Sequence, residues 1–124
     1  MPKTPNISDA EWVVMCVLWS RSPLSANDVV QDLGVRKSWS PATIKTMLNR
    51  LVKKGALAYE SQGKRYLYRP RAAQDQCVQS ESRSFLERVF GGAVAPMLNH
   101  FVQTTKLSRK QMAELRRILD RKEE

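Results

Sequence analysis

The segment from Trp39 to Gly55 constrains the fold most, because it predicts a helix with one buried stripe and one basic, polar face. Ser40 is a favourable N-cap, Pro41 suits the first helical position, and Gly55 suits the position after the last turn. The apolar stripe follows the spacing of one helical face and comprises Ile44, Met47, Leu48, Leu51 and Val52. The other face contains hydroxyls, an amide and cations but no acid: Thr43, Lys45, Thr46, Asn49, Arg50 and Lys53.

The chemistry of that polar face matches double-stranded DNA. Hydroxyls, amides and cations all reach phosphate oxygens, and arginine, lysine and asparagine also match base edges in the major groove. For an isolated amphipathic helix, a polar face that is merely solvated is the more common explanation. The neighbouring segments reverse that preference in this chain.

The positive charge of the chain is concentrated around this helix. The 124 residues carry a formal net charge of +9. Between residues 34 and 70 there are nine lysines and arginines against the single acid Glu60, whereas from residue 71 onward there are ten cations and seven acids. A positive field confined in this way is typical of a nucleic-acid-binding surface rather than of a generally basic protein.

Capping boxes with flanking apolar pairs mark further helix starts. They are Ser8 with Glu11, Ser25 with Asp28, and Ser108 with Gln111. The pattern predicts a first helix over residues 9–20 and a short second helix over residues 26–33 that ends at Gly34. A basic connector over residues 35–38 then leads into the polar-faced helix. This order of helices is that of a helix-turn-helix core.

A β-hairpin is predicted directly after the polar-faced helix. Alternating residues indicate a strand over residues 57–61, a turn at Gln62-Gly63 and a returning strand over residues 66–69. Lys64 and Arg65 fall at the tip of this hairpin. Two interpretations of these cations stay open, contact with a phosphate backbone and simple solvation.

The segment beyond Arg71 predicts three amphipathic helices. So short a segment cannot bury all of their apolar faces, and a second copy of the chain is the simplest partner. The residues expected in the dimer interface are Phe85, Leu86, Val89, Phe90, Met97, Leu98, Phe101, Val102, Leu115, Ile118 and Leu119. The alternative is that these helices pack on the N-terminal half to form one larger monomer.

Catalysis and metal binding find little support in the residues. The single histidine, His100, is too few for a histidine-based metal cluster or a Ser/His catalytic set, and no cofactor or metal is expected. Cys16 and Cys77 have no CxxC spacing and are expected to be reduced thiols in a core or an interface. The longest apolar run, residues 12–19, is too short to span a bilayer, and no signal peptide is recognisable. We therefore expect a cytoplasmic protein without enzymatic activity.

Several short stretches together form a familiar pattern. They are Ser8-Asp9-Ala10-Glu11-Trp12 and Val14-Met15 in the first helix, Ser25-Ala26-Asn27 at the second, Trp39-Ser40-Pro41, Thr43-Ile44, Thr46, Arg50-Leu51 and Lys53-Lys54-Gly55 in the third, and Gly91-Gly92, Phe101-Val102, Leu107-Ser108 and Glu114-Leu115-Arg116 in the C-terminal half. With these stretches the chain resembles the BlaI/MecI-type penicillinase repressor family over essentially its full length.

The resemblance implies a winged-helix DNA-binding domain over residues 1–71 and a helical dimerisation domain over residues 72–124. It implies repression by occupation of a promoter operator. Family members are released when a membrane sensor with a zinc-protease domain triggers cleavage of the dimer domain at an Asn-Phe bond, and the aligned bond here is His100-Phe101. Copper-responsive relatives carry Cys-x-Cys pairs that this chain lacks, so metal sensing is not expected.

We therefore expect a mainly α protein that acts as a homodimeric transcriptional repressor on a pseudo-palindromic DNA operator. The residues expected at the DNA are Ser40, Ala42, Thr43, Lys45, Thr46, Asn49, Arg50, Lys53, Lys54, Lys64 and Arg65. Two alternatives stay open, a winged-helix module that binds an acidic protein partner and an architectural protein that binds any duplex.

Overall fold

The computed structural model describes residues 4–123, and within them the chain forms six helices and a three-stranded antiparallel sheet. The helices are α1 (Asp9–Ser20), α2 (Ala26–Lys37), α3 (Pro41–Lys53), α4 (Gln74–Phe90), α5 (Val94–Thr104) and α6 (Arg109–Glu123). The strands are β1 (Leu24–Ser25), β2 (Leu57–Gln62) and β3 (Arg65–Pro70). Contacts divide the chain into two compact units, one up to Ser80 and one from Glu81.

The predicted helix starts are confirmed by reciprocal capping hydrogen bonds. At α1 the backbone N–H of Glu11 donates to Ser8 Oγ (3.2 Å), and the N–H of Ser8 donates to Glu11 Oε1 (2.9 Å). Ser25 and Asp28 make the same pair of bonds at α2, at 3.2 and 3.0 Å. Each box satisfies backbone donors that a helix otherwise leaves without partners.

The core of the first unit is formed by one face from each of α1, α2, α3 and the sheet. Its most deeply buried side chains are Val14, Met15, Leu18, Val29, Leu33, Ile44, Leu48, Leu51, Leu57 and Cys77. The predicted stripe of α3 is confirmed, since four of its five residues are buried and Val52 packs against the same cluster. Burial of this stripe fixes which side of α3 faces outward.

The hairpin β2–β3, which we call the wing, has the predicted position. Gln62 pairs with Arg65, so Gly63 and Lys64 form a two-residue loop. Gly63 has φ +62°, a conformation that glycine adopts without steric cost. The sheet also contains β1, which the sequence did not predict, and Leu24 pairs there with Tyr68. This third strand ties the start of α2 to the wing.

Two sequence-based expectations need correction. The second helix does not end at Gly34 but continues to Lys37, so the expected connector over residues 35–38 is largely helical. Ser38, in the left-handed conformation with φ +55°, ends this helix instead. Cys16 is exposed, so of the two expected surroundings, a core or an interface, the core does not apply to it, whereas Cys77 is buried.

The first unit extends further along the chain than the expected boundary after Arg71. The indole N–H of Trp19 donates to the carbonyl of Ala72 (2.9 Å), and Cys77, near the start of α4, is 1% exposed. The first turns of α4 therefore belong by contact to the first unit. None of the helices in the described residues is long and apolar enough to cross a membrane.

Candidate nucleic-acid interface

The outward side of α3 keeps its polar groups accessible. Ser40 Oγ accepts the N–H of Thr43 (3.1 Å) and lies 2.9 Å from Thr43 Oγ1, which closes the N-terminal end of the helix. Thr46 Oγ1 donates to the carbonyl of Ala42 (2.9 Å). The remaining polar side chains of this face are Lys45, Asn49, Arg50 and Lys53, and all four are exposed.

A groove joins α3 to the tip of the wing. It has a volume of about 340 Å³ and is lined from α3 by Lys45 and Asn49 and from the wing by Lys64, Arg65 and Tyr66. The start of α2 and Tyr68 complete the lining. The structure therefore brings together two groups of cations that the sequence predicted separately, so that α3 and the wing present one continuous surface.

Ion pairs distinguish the nine cations between residues 34 and 70. Three are held by carboxylates: Arg36 by Asp32 (2.7 Å), Arg69 by Glu60 (2.7 Å) and Lys54 by Glu11 (2.5 Å). The others have no ion-pair partner among residues 4–123 and are Lys37, Lys45, Arg50, Lys53, Lys64 and Arg65. Five of these six are expected DNA contacts, so most of the cations without an ion pair lie on α3 and at the wing tip.

Lys54 differs from the other cations among the expected DNA contacts because it has an ion-pair partner and because that partner is buried. Lys54 is the C-cap residue of α3 and its ammonium contacts Glu11, whose side chain, at the start of α1, is only 3% exposed. Burial alone raises the pKa of the Glu11 carboxyl, but hydrogen bonds from Lys54 and Ser8 and the charge of Lys54 outweigh it and lower the pKa. The pair therefore links the end of α3 to the first turn of α1 as two charges.

Sequence reasoning missed the contribution of α2 and of the wing tyrosines to the groove. The groove is lined by Asn27, in the first turn of α2, and by Tyr66. The ring centroids of Tyr66 and Tyr59 lie 4.8 Å apart. Hydrogen bonds from the backbone and side chain of Ser25 lower the pKa of Asp28, and the charge of Arg65 adds to this effect. Strand β1, which the sequence did not predict, brings the start of α2 beside the wing by pairing with β3.

The residues expected in the dimer interface form apolar faces in the second unit. No residue of α5 or α6 is buried among those described. Half-buried are Phe85, Leu86, Phe90, Met97 and Leu115; exposed are Val89, Leu98, Phe101, Val102, Ile118 and Leu119. An apolar surface of this kind is characteristic of a protein–protein interface.

The bond between His100 and Phe101, the expected cleavage site, lies inside α5. Thr104 Oγ1 donates to the carbonyl of His100 (2.8 Å), and the N–H of Thr105 donates to the carbonyl of Phe101 (2.9 Å). The two rings contact each other and that of Phe90, with centroids 5.6 to 6.4 Å apart. Both residues are exposed, but their backbone is helical.

Three helices followed by a β-hairpin, with a basic third helix beside the hairpin tip, define a winged helix-turn-helix protein, and the expected fold class is confirmed. The family model of the penicillinase repressors matches residues 7–121. The chain therefore belongs to the penicillinase repressor family, whose members are DNA-binding transcriptional repressors and not enzymes.

Individual relatives match over nearly the whole chain. The penicillinase repressor of Bacillus licheniformis is 40% identical over 120 residues, which cover 97% of this chain and 94% of that protein. The methicillin resistance regulatory protein MecI of Staphylococcus aureus (strain N315) is 34% identical over 120 residues, which cover 97% of this chain and 98% of that protein.

A solved structure matches part of the chain. The solution structure of monomeric Bacillus licheniformis BlaI in complex with the blaP half-operator matches 60% of this chain and 92% of that chain, at 45% identity and a TM-score of 0.53.

Proposed function

We propose that this protein is a homodimeric transcriptional repressor that binds a pseudo-palindromic operator by inserting α3 into the major groove. The observation that carries the proposal is the groove between α3 and the wing, where Lys45, Lys64 and Arg65 lie together and none of them forms an ion pair with a carboxylate of residues 4–123. A relative of known structure that contains a bound half-operator matches 60% of this chain at 45% identity, which supports the proposal.

The polar groups divide into two roles. Lys53, Lys64 and Arg65 would neutralise phosphates and set the position of the domain on the duplex, because phosphate contacts orient a protein without reading sequence. The sequence also favours Lys54 as a phosphate contact, but in the structure it is paired with Glu11. Base contacts are assigned to Thr43, Lys45, Thr46 and Arg50, which are exposed on the outward side of α3. Asn49 is exposed on the same helix, and Ser40 and Ala42 lie at its N-terminal end. Arginine or lysine to guanine and a threonine methyl to thymine are the contacts that this helix offers.

The second unit would supply the dimer contact through its apolar residues. A two-fold axis would present two copies of α3 to successive major grooves, roughly 34 Å apart. Cleavage at His100-Phe101, triggered by a membrane sensor protease, would then destroy the dimer and release the operator. Because that bond lies in α5, the helix must open locally before a protease can reach it.

A salt titration with two duplexes tests the DNA assignment. The full chain selects one duplex from a random-sequence library, and a scrambled version of that duplex is the reference. Affinity for both should fall steeply with salt, but a repressor retains a gap of about 4–10 kcal/mol between them. An architectural protein would show no gap, and a protein-binding module would bind neither duplex.

Two substitutions test the division of roles, with Lys110→Ala in α6 as a control for loss of a distant cation. Arg50→Ala should shrink the gap between selected and scrambled duplexes, because it removes a base contact. Lys64→Ala should weaken both duplexes by the same factor and reduce the salt slope by about 1. Equal losses on both duplexes for both variants would reject this division.

A further inference from the structure

The ion pair between Glu11 and Lys54 links the first turn of α1 to the C-terminal end of α3. Glu11 Oε1 accepts both the N–H of Ser8 (2.9 Å) and the ammonium of Lys54 (2.5 Å). Glu11 and Ser25 are the buried polar or charged residues among those described, and of the two only Glu11 is ionisable. A charge is retained in such a place only when a partner compensates it.

The neighbouring Lys53 provides the contrast. It lies in the last turn of α3, it is exposed, and it has no ion-pair partner among residues 4–123. Lys54 follows at the C-cap with its side chain 36% exposed and its ammonium committed to Glu11. Two consecutive lysines therefore have different surroundings, although the sequence gives no reason to separate them.

We infer that Glu11 is a positioning residue for DNA recognition and that Lys54 is its partner rather than a phosphate contact. This inference rests on the proposed function, since it concerns how α3 is held against the duplex. The apolar stripe fixes the rotation of α3 about its own axis, and the pair fixes the position of its C-terminal end. Base contacts require side chains held to within about half an ångström, whereas phosphate contacts tolerate a small shift.

The direction of the change in DNA affinity caused by Glu11→Gln distinguishes a positioning role from an electrostatic one. Replacement of Glu11 by glutamine removes a negative charge, which by long-range electrostatics strengthens binding to any duplex. A loss of affinity for the selected duplex therefore has to come from altered geometry. Phosphate contact predicts the opposite pattern, in which Lys54 matters and Glu11 does not.

The test measures fluorescence anisotropy of labelled selected and scrambled duplexes between about 50 and about 200 mM salt. The variants of the full chain are Glu11→Gln, Lys54→Met, the double variant and Lys53→Met, at a temperature where circular dichroism shows each to be folded. Lys54→Arg, which keeps the charge, is the conservative variant should Lys54→Met not fold.

Glu11→Gln and Lys54→Met are each expected to lose about tenfold in affinity for the selected duplex, the size of one base contact, and less than about twofold for the scrambled duplex. The double variant should lose no more than either single one. Among these variants, only Lys53→Met should reduce the salt slope of binding, by about 1. Lys54→Arg should bind both duplexes as the wild type does.

Two results would overturn the inference. In the first, Lys54→Met reduces the salt slope as Lys53→Met does while Glu11→Gln binds normally, which makes Lys54 a phosphate contact. In the second, both variants unfold more easily but bind both duplexes unchanged, which makes the pair purely structural. Failure of the wild type to prefer the selected duplex would instead refute the proposed function, and the two failures are therefore distinguishable.

Discussion

At the scale of single residues, the buried carboxylate of Glu11 connects stability with recognition. It accepts hydrogen bonds from Ser8 and Lys54, and its side chain has almost no exposure to water. Removal of one partner of a buried pair costs more than the pair itself contributes, because the remaining charge is left without compensation. Stability should therefore respond more strongly to Lys54 than to the adjacent Lys53.

Lys54→Met is expected to lower the free energy of unfolding by about 1–3 kcal/mol, which is less than a fully buried pair would give because Lys54 is partly exposed. Lys53→Met should change it by less than about 0.5 kcal/mol, as is usual for an exposed side chain. Urea denaturation of both variants measures the difference. Equal effects of the two substitutions would contradict the assigned contact.

The pH dependence of stability follows from the same residues. The pKa values of Glu11 and Asp28 are lowered in the folded chain. Their contribution to stability is thus fully present above the ordinary carboxyl pKa of about 4 and is lost as the pH falls through the lowered values. The melting temperature should fall below about pH 4, and less steeply for Glu11→Gln. An identical acid profile in that variant would argue against a role for this carboxylate.

At the scale of elements, the sequence predicted those whose signals are local. The caps of α1 and α3, the stripe of α3 and the wing all depend on residues within a few positions of each other, and each is found in the structure. Strand β1 was missed because it has two residues and its partner Tyr68 lies far along the chain. The pairing of Glu11 with Lys54 was missed for the same reason, since only the fold brings them together.

Gly34 and Gly63 show why a glycine alone does not reveal its structural role. Gly34 was expected to end the second helix, but it lies inside α2, where an added Cβ would meet its nearest atoms at 3.8 and 3.9 Å. Gly63 was expected in a turn and has φ +62°. Alanine is more favourable than glycine inside a helix and less favourable than glycine in a left-handed loop.

Gly34→Ala is expected to raise the free energy of unfolding by about 0.5–1 kcal/mol, because alanine favours a helix and fits the available space. Gly63→Ala should lower it by about 1–2 kcal/mol, the cost of a left-handed conformation for a residue with a Cβ. Thermal or urea denaturation checks both signs. Destabilisation by Gly34→Ala would mean that the second helix ends at residue 34 after all.

At the scale of the whole molecule, the exposed apolar faces of the second unit are the basis of the proposed dimer. Val89 is 53% exposed and Leu119 is 57% exposed, and both belong to helices with polar residues on their other sides. A symmetric dimer would cover the same patch on both copies. Its stability would then depend on protein concentration.

Leu119→Glu is expected to shift the sedimentation equilibrium of the full chain from dimer towards monomer, because the interface would then have to bury a charge. Gln103→Glu, which adds the same charge at an exposed polar position of α5, is the control and should leave the dimer intact. Circular dichroism checks that both variants keep their helices. A wild-type chain that sediments as a monomer at micromolar concentration would remove the basis of this prediction.

The proposed dimer presents two copies of α3 to successive turns of the same face of a duplex. The most direct measurement is the affinity of the full chain for the selected duplex and for versions with base pairs inserted at its centre. Insertion of about five base pairs turns one half-site to the opposite face of the DNA and should reduce the affinity to that of a single half-site. Equal affinity for the original and the lengthened duplex would contradict the account.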